Sequence, residues 1–187
     1  NSRIEGEEGD AFNSDYGGDK FDLEFPESQR ILYNKLKQTG KPIIFVNVSG
    51  SCMSLKAQQN ECEAILQVFY PGAMGGKAFA DILFGNCSPS GRLPVTFYKN
   101  SEDLPIMEDY SIANRTHLNF KGEVCYPFGY GLTYSDITED WLDKDSCCVT
   151  NNGPFDTRYT ILKWKGTKLE DFETLYLKKG EKQTVKF

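Results

Sequence analysis

The sequence predicts a partial, mostly parallel α/β sandwich domain followed by a truncated β-sandwich segment, and three stretches carry that reading. Ile43-Ile44-Phe45-Val46-Asn47-Val48 is a run of β-branched and aromatic residues, the pattern of a strand buried in a parallel sheet. Val68 to Phe97 reads as a strand end, a glycine turn, an amphipathic helix and a second strand. That is the size of a βαβ unit, which predicts a parallel pairing across the helix. Beyond Asp145, Val149–Gly153 and Leu169–Phe187 alternate apolar and polar residues like half-buried strands.

The elements follow in order. Asn1 to Asp22 is a polar, glycine-punctuated stretch rich in carboxylates, with almost no apolar periodicity, and composition alone reads it as a solvated acidic loop. Glu24 to Gly40 reads as a helix entered through Pro26, with Ile31, Leu32 and Leu36 on one face. The strand at 43–48 ends in Ser49-Gly50-Ser51, at the carboxyl end where α/β sheets place ligand loops. Lys56 to Cys62 is a short polar helix or turn leading to a strand at Ala64. Ala78, Phe79, Ile82 and Leu83 recur at helical spacing, and Gly85-Asn86 closes that helix. A strand then follows over Leu93–Phe97. Tyr126-Pro127-Phe128-Gly129-Tyr130-Gly131 is a tight aromatic turn whose glycines let the chain pass close to its neighbours. Asp136 to Asp145 is charged and reads as a boundary.

Composition narrows the function classes. A net charge of −6 argues against nucleic acid as the main partner, and no apolar run approaches the ~20 residues of a membrane span. Six cysteines show no CxxC spacing, so free, mostly buried thiols are expected. The lone His117 has no cysteine or acid at ligand spacing, so no metal site is expected. Gly72-Ala73-Met74-Gly75-Gly76-Lys77-Ala78 falls short of a phosphate loop. Its first glycine is one residue too close, and Ala78 stands where a Ser or Thr must hold Mg²⁺. The sequons at Asn47, Asn86 and Asn114 are poor glycosylation candidates, Asn47 because it sits inside a strand pattern.

The wording of the central stretch is specific. YPG-x-x-GG-x-A-x-A-D-I-L-F-G, then SPSGRLPVTFY, EDLPIMEDYSIANRT and GEVCYPFGYGLTYS, resembles the C-terminal α/β domain of glycoside hydrolase family 3, which holds β-glucosidases and β-xylosidases. The resemblance implies that residues 1–135 form that domain, incomplete at its N-terminus. Residues 136–187 then resemble the start of a fibronectin type III-like domain. The stretch between Gly153 and Leu169 looks shortened relative to the family, and this segment is expected to be poorly folded unless it leans on the α/β unit. The implied activity is hydrolysis of β-linked oligosaccharides or aryl glycosides with retention, with no cofactor and a barrel domain of the parent enzyme as partner. A periplasmic or secreted setting is favoured over the cytoplasm. The alternative is a non-catalytic scaffold or sugar-binding module, inactive without the barrel.

The resemblance also bears on the acidic loop. In the family, the matching loop carries the general acid/base glutamate into the mouth of the barrel. A retaining glycosidase pairs a nucleophilic carboxylate with an acid/base carboxyl about 5–5.5 Å away. The acid must be protonated near neutrality, and Glu5, Glu7, Glu8 and Asp10 supply mutual repulsion that favours the protonated form. Aligning Ile4-x-Gly6-Glu7 on the family's loop makes Glu7 the first choice, Glu5 the second and Glu8 the third. Lys20 departs from the family's Gly-Gly-Asp-Arg; it keeps the charge but loses the bidentate fork.

Overall fold

The computed structural model describes residues 22–106 and 108–187. Its contacts gather into two compact units. One takes the residues up to Gly76 with Val95–Pro127, the other Lys77–Pro94 with Phe128–Phe187.

In the first unit, helix α1 (Glu27–Lys37) starts at Pro26, whose carbonyl accepts from the N–H groups of Gln29 and Arg30. Glu27 in its first turn and Lys35 and Lys37 in its last complement the helix dipole. The expected apolar face is not the buried one: Ile31, Leu32 and Leu36 are about half exposed, whereas Tyr33 is buried. Helical spacing puts three residues on one face, but only a covering layer buries them. Tyr33 finds that cover edge-on to Phe45, at 6.0 Å between ring centroids, and Phe25 meets the same ring at 5.5 Å.

Strand β1 (Ile44–Asn47) pairs in parallel with β2 (Ala64–Gln67), in a register that sets Asn47 against Gln67. The short helix α2 (Gln58–Glu61) lies between them in sequence. β1 is less buried than its composition predicts, since Ile44 and Val48 are exposed and only Asn47 is buried within the strand. Among the described residues β1 has one partner strand, so it cannot be buried as the centre of a wide sheet would be.

Helix α3 (Gly75–Leu83) forms where expected and ends as expected. Gly85 adopts φ +74°, with its N–H on Ile82 O and the Asn86 N–H on Asp81 O, which satisfies the last carbonyls. The predicted parallel pairing across α3 is not found. β3 is only Phe97–Tyr98 and pairs antiparallel with β4 (Val124–Tyr126). Leu93 explains the shortening, because its N–H donates to Tyr130 O and its C=O accepts from Gly129 N–H, both at 2.8 Å. Pro94 has no N–H to continue a ladder. A 3₁₀ turn (Ser101–Asp103) and helix α4 (Thr116–Asn119) lie between β3 and β4.

In the second unit the aromatic turn is as close-packed as its glycines require. A Cβ on Gly131 would stand 2.0 Å from the Gly91 carbonyl oxygen, and Gly129, at φ +80°, faces Leu162. Arg92 ties this turn to the following strands. Its Nε donates to Thr160 O (3.2 Å) and its Nη1 to Gly131 O (3.1 Å), with the guanidinium 4.7 Å from the Tyr159 ring centroid.

Strands β5 (Ile137–Trp141), β6 (Ser146–Asn151) and β9 (Lys182–Lys186) form one antiparallel sheet. β7 (Thr157–Lys165) and β8 (Lys168–Leu177) form another. Two further stretches hold strands. The charged stretch 136–145 holds a strand, because Ile137 packs on the core and Trp141 stacks on Phe187. The stretch between Gly153 and Leu169 holds nine-residue β7, which places Ile161 in the core. Cys147, Val149, Ile161, Leu177 and Val185, drawn from both sheets, make one buried cluster. The segment therefore has a core of its own.

An ion pair marks the edge of that cluster: Lys163 Nζ lies 2.6 Å from Asp145, and the hydrogen bond from Lys163 holds the Asp145 carboxyl below its usual range. A carboxylate whose pKa is depressed on folding stabilises the fold above its unfolded pKa, and loses that contribution as pH falls through the folded one. Lowering the pH from about 6 to about 3 is expected to lower Tm, and Asp145→Asn is expected to flatten that fall. Thermal melts of both proteins across this range check it; parallel profiles would contradict it.

Candidate functional site

The Ser49-Gly50-Ser51 turn leaves the carboxyl end of β1, and the register of β1 on β2 builds a polar knot there. Asn47 Nδ2 donates to Gln67 Oε1 (2.6 Å) and Ser49 Oγ (3.0 Å), and Gln67 Nε2 returns a bond to Ser49 O (3.0 Å). Ser49 Oγ donates to Ser51 O at 2.9 Å. Asn47 and Ser49 are buried, so these bonds satisfy groups that would otherwise lose water without compensation. An added Cβ on Gly50 would lie 2.4 Å from Oη of the exposed Tyr70, so a side chain there would push that ring aside. Phe69, at φ +45°, holds a backbone conformation that costs a bulky residue roughly 1–3 kcal/mol. Among the described residues the buried Ser51 hydroxyl has no hydrogen-bond partner.

This knot is built from amides and hydroxyls, so it positions a turn and carries no acid, base or nucleophile of its own. Gln67 was missed in the sequence, although a polar residue closing each of two apolar runs, Asn47 and Gln67, was the available signal. Asn47 also spends its side-chain amide inside the knot, which removes it as a glycosylation acceptor.

Titration behaviour elsewhere sets a second boundary. Among the described carboxyl groups with a resolved shift, every one is moved down: Glu61 by its bond from Lys37, Asp81 by Lys77, Asp109 by Ser111, Asp145 by Lys163 and Glu181 by the Lys178 N–H. Such groups are ionised near neutrality and cannot serve as general acids there. The thiols move the other way. Burial raises Cys125, and pushes Cys147 up to about 11, so neither is a thiolate nucleophile at neutral pH. None of the six cysteines is in a disulfide; Cys125, Cys147 and Cys148 are buried, Cys52 and Cys62 half-buried and Cys87 exposed. No group of three His, Cys, Asp or Glu side chains suited to a metal ion occurs among the described residues. No helix among them is long and apolar enough to cross a membrane.

The residues singled out for catalysis, Glu7, Glu5 and Glu8, lie outside the described residues, as does Lys20. His117 is half-buried on α4.

Comparison with known proteins places these features. Residues 1–134 match the family model described as the glycosyl hydrolase family 3 C-terminal domain. A xylan 1,4-beta-xylosidase of Xylanibacter ruminicola is 47% identical over 90% of this chain and 22% of its own length. A periplasmic beta-glucosidase of Salmonella typhimurium is 32% identical over 88% of this chain and 26% of its own. The chain thus spans about a quarter of the length of these curated relatives. Among solved structures, a GH3 exo-beta-xylosidase in complex with a xylobiose aziridine probe superposes with a TM-score of 0.80 at 24% identity, over 90% of this chain and 28% of that one. A GH3 beta-glucosidase of Bifidobacterium adolescentis gives a TM-score of 0.76 at 26% identity, over 92% and 30%.

Proposed function

We propose, given that the chain belongs to glycoside hydrolase family 3, that it is the C-terminal part of a retaining enzyme acting on β-linked xylosides or glucosides. The observation that carries this is the family match over residues 1–134. It is joined by 47% identity to a xylan 1,4-beta-xylosidase across nine-tenths of the chain. In this reading residues 1–135 are the family's α/β sandwich domain. Residues 136–187 begin a fibronectin type III-like β-sandwich, a division supported by the antiparallel strands and shared core of β5–β9.

The chemistry then divides between two parts of the parent enzyme. Glu7, with Glu5 as second choice, supplies the acid/base carboxyl, first protonating the leaving oxygen and then drawing a proton from water. The nucleophilic carboxylate comes from a barrel domain. The described residues support this division by what they offer: depressed carboxyls, protonated thiols and a knot of amides and hydroxyls at the carboxyl end of β1. Their part is to hold the loop's neighbours in place. The periplasmic relative supports a periplasmic or secreted setting.

Stereochemistry tests the mechanism. Following hydrolysis of an aryl β-xyloside by the parent enzyme with proton NMR, the first sugar formed is expected to be the β-anomer, since two displacements restore configuration. The α-anomer appearing first would overturn retention, and with it the pairing of a barrel nucleophile with this loop.

A further inference from the structure

The knot after β1 leaves one of its polar groups over. The amides of Asn47 and Gln67 and the Ser49 hydroxyl bond one another, and the Ser51 carbonyl accepts from Ser49 Oγ. Ser51 Oγ alone is closed to solvent with no hydrogen-bond partner among the described residues. A buried hydroxyl in that state has given up water and gained nothing in return. Most buried polar atoms in folded proteins are paired, so this one calls for a partner that the described residues do not supply.

Two observations point to where that partner lies. The turn leaves the carboxyl end of a strand in a parallel pair, the end at which functional loops gather. Three residues on, the Ser54 N–H donates to Leu23 O at 2.7 Å, and the Leu23 N–H in turn donates to Ser101 Oγ at 2.9 Å. Leu23 is thus held on both sides, and it is the residue into which the acidic stretch runs. The backbone that carries Ser51 is fastened to the foot of the stretch that carries Glu5, Glu7, Glu8 and Asp10.

The chemistry of the two sides is complementary. An ionised carboxylate only accepts, a serine O–H can donate, and a hydrogen bond to a charged acceptor is stronger than a neutral one. We propose that Ser51 is a positioning residue for the acid/base carboxyl: in the parent enzyme its hydroxyl donates to Glu5, Glu8 or Asp10 and fixes the stretch from which Glu7 acts. This rests on the reading of that stretch as the acid/base loop. The bond goes to a neighbour of Glu7, because a donor on Glu7 itself would favour its ionised form and spoil it as an acid.

Ser51→Ala in the parent enzyme, assayed on aryl β-xylosides of graded leaving-group basicity, tests the assignment. The quantity to follow is kcat/KM, which reports the first displacement, the step that needs the acid. It is expected to fall about tenfold with a poor leaving group and to stay within about twofold with an activated one, whose departure needs no proton. The activated substrate also shows that the variant is folded. In a Glu7→Gln background the same change is expected to have no further effect on the poor substrate, since both act through one proton. An unchanged kcat/KM with the poor leaving group, an equal loss on both substrates, or a full further loss in Glu7→Gln would each overturn the proposal. The reading beneath it fails separately: Glu7→Gln would then show no loss that depends on the leaving group.

Discussion

In the parent enzyme, Glu7→Gln is expected to lower kcat on an aryl β-glycoside with a poor leaving group by about 10²–10⁴-fold, the usual worth of a positioned general acid. The amide cannot give up a proton to the departing oxygen, so the loss follows the basicity of the leaving group. An activated leaving group needs no such help. With it the glycosyl-enzyme still forms, and turnover stalls at hydrolysis for want of a base. Azide, which needs no base, is then expected to restore turnover and give a β-glycosyl azide. Glu5→Gln and Glu8→Gln are expected to stay within about tenfold of the parent, because a role in raising the acid's pKa is worth less than the proton itself. Full activity in Glu7→Gln, with loss and azide rescue in Glu5→Gln, would move the role to Glu5.

The largest effect on stability is expected at Asn151, at the end of β6. Its side chain is fully buried and bonds four backbone groups. Nδ2 donates to Phe155 O (2.8 Å), Lys178 O (3.1 Å) and Leu177 O (3.2 Å), and Oδ1 accepts from the Gly153 N–H at 3.1 Å. One side chain thus fastens the 151–155 turn to the end of β8. Asn151→Ala removes all four bonds; Phe155 O keeps the Ser135 hydroxyl at 2.6 Å, whereas the buried groups among the rest lose a partner at about 1–3 kcal/mol each, and partial relaxation brings the expected total to about 2–4 kcal/mol. Asn151→Asp is expected to cost at least as much, because a carboxylate would face three carbonyl oxygens. Urea unfolding measures it as a drop in midpoint with an unchanged slope; a loss under about 0.5 kcal/mol would contradict the account.

Where the structure agrees with the sequence, the determinants are local. Helix α3 and its Gly85 cap follow from apolar spacing and one glycine, both contained within a dozen residues. The close approach at Gly129 and Gly131 was legible for the same reason, since only glycine fits there. Where the two part, the determinant is distant. Leu93 looks like a strand residue, yet its backbone is taken by Gly129 and Tyr130, more than thirty residues on, and that shortens β3. Ile31, Leu32 and Leu36 share a face by spacing, but what covers a face is not written in the helix. The alternation of Thr157, Tyr159 and Ile161 that builds β7 is present in the sequence. The candidate site divides the same way. The turn after β1 was legible as a strand-end loop, whereas its partner Gln67 needed the register of β1 on β2.

The most direct test of the central division of labour is turnover of an aryl β-xyloside and an aryl β-glucoside by this 187-residue chain alone, beside the parent enzyme. If the proposed division holds, with the acid/base carboxyl on this chain and the nucleophile on a barrel domain, the chain alone shows no turnover above the buffer rate. Turnover at the parent's rate would contradict the account and place both carboxylates within these residues.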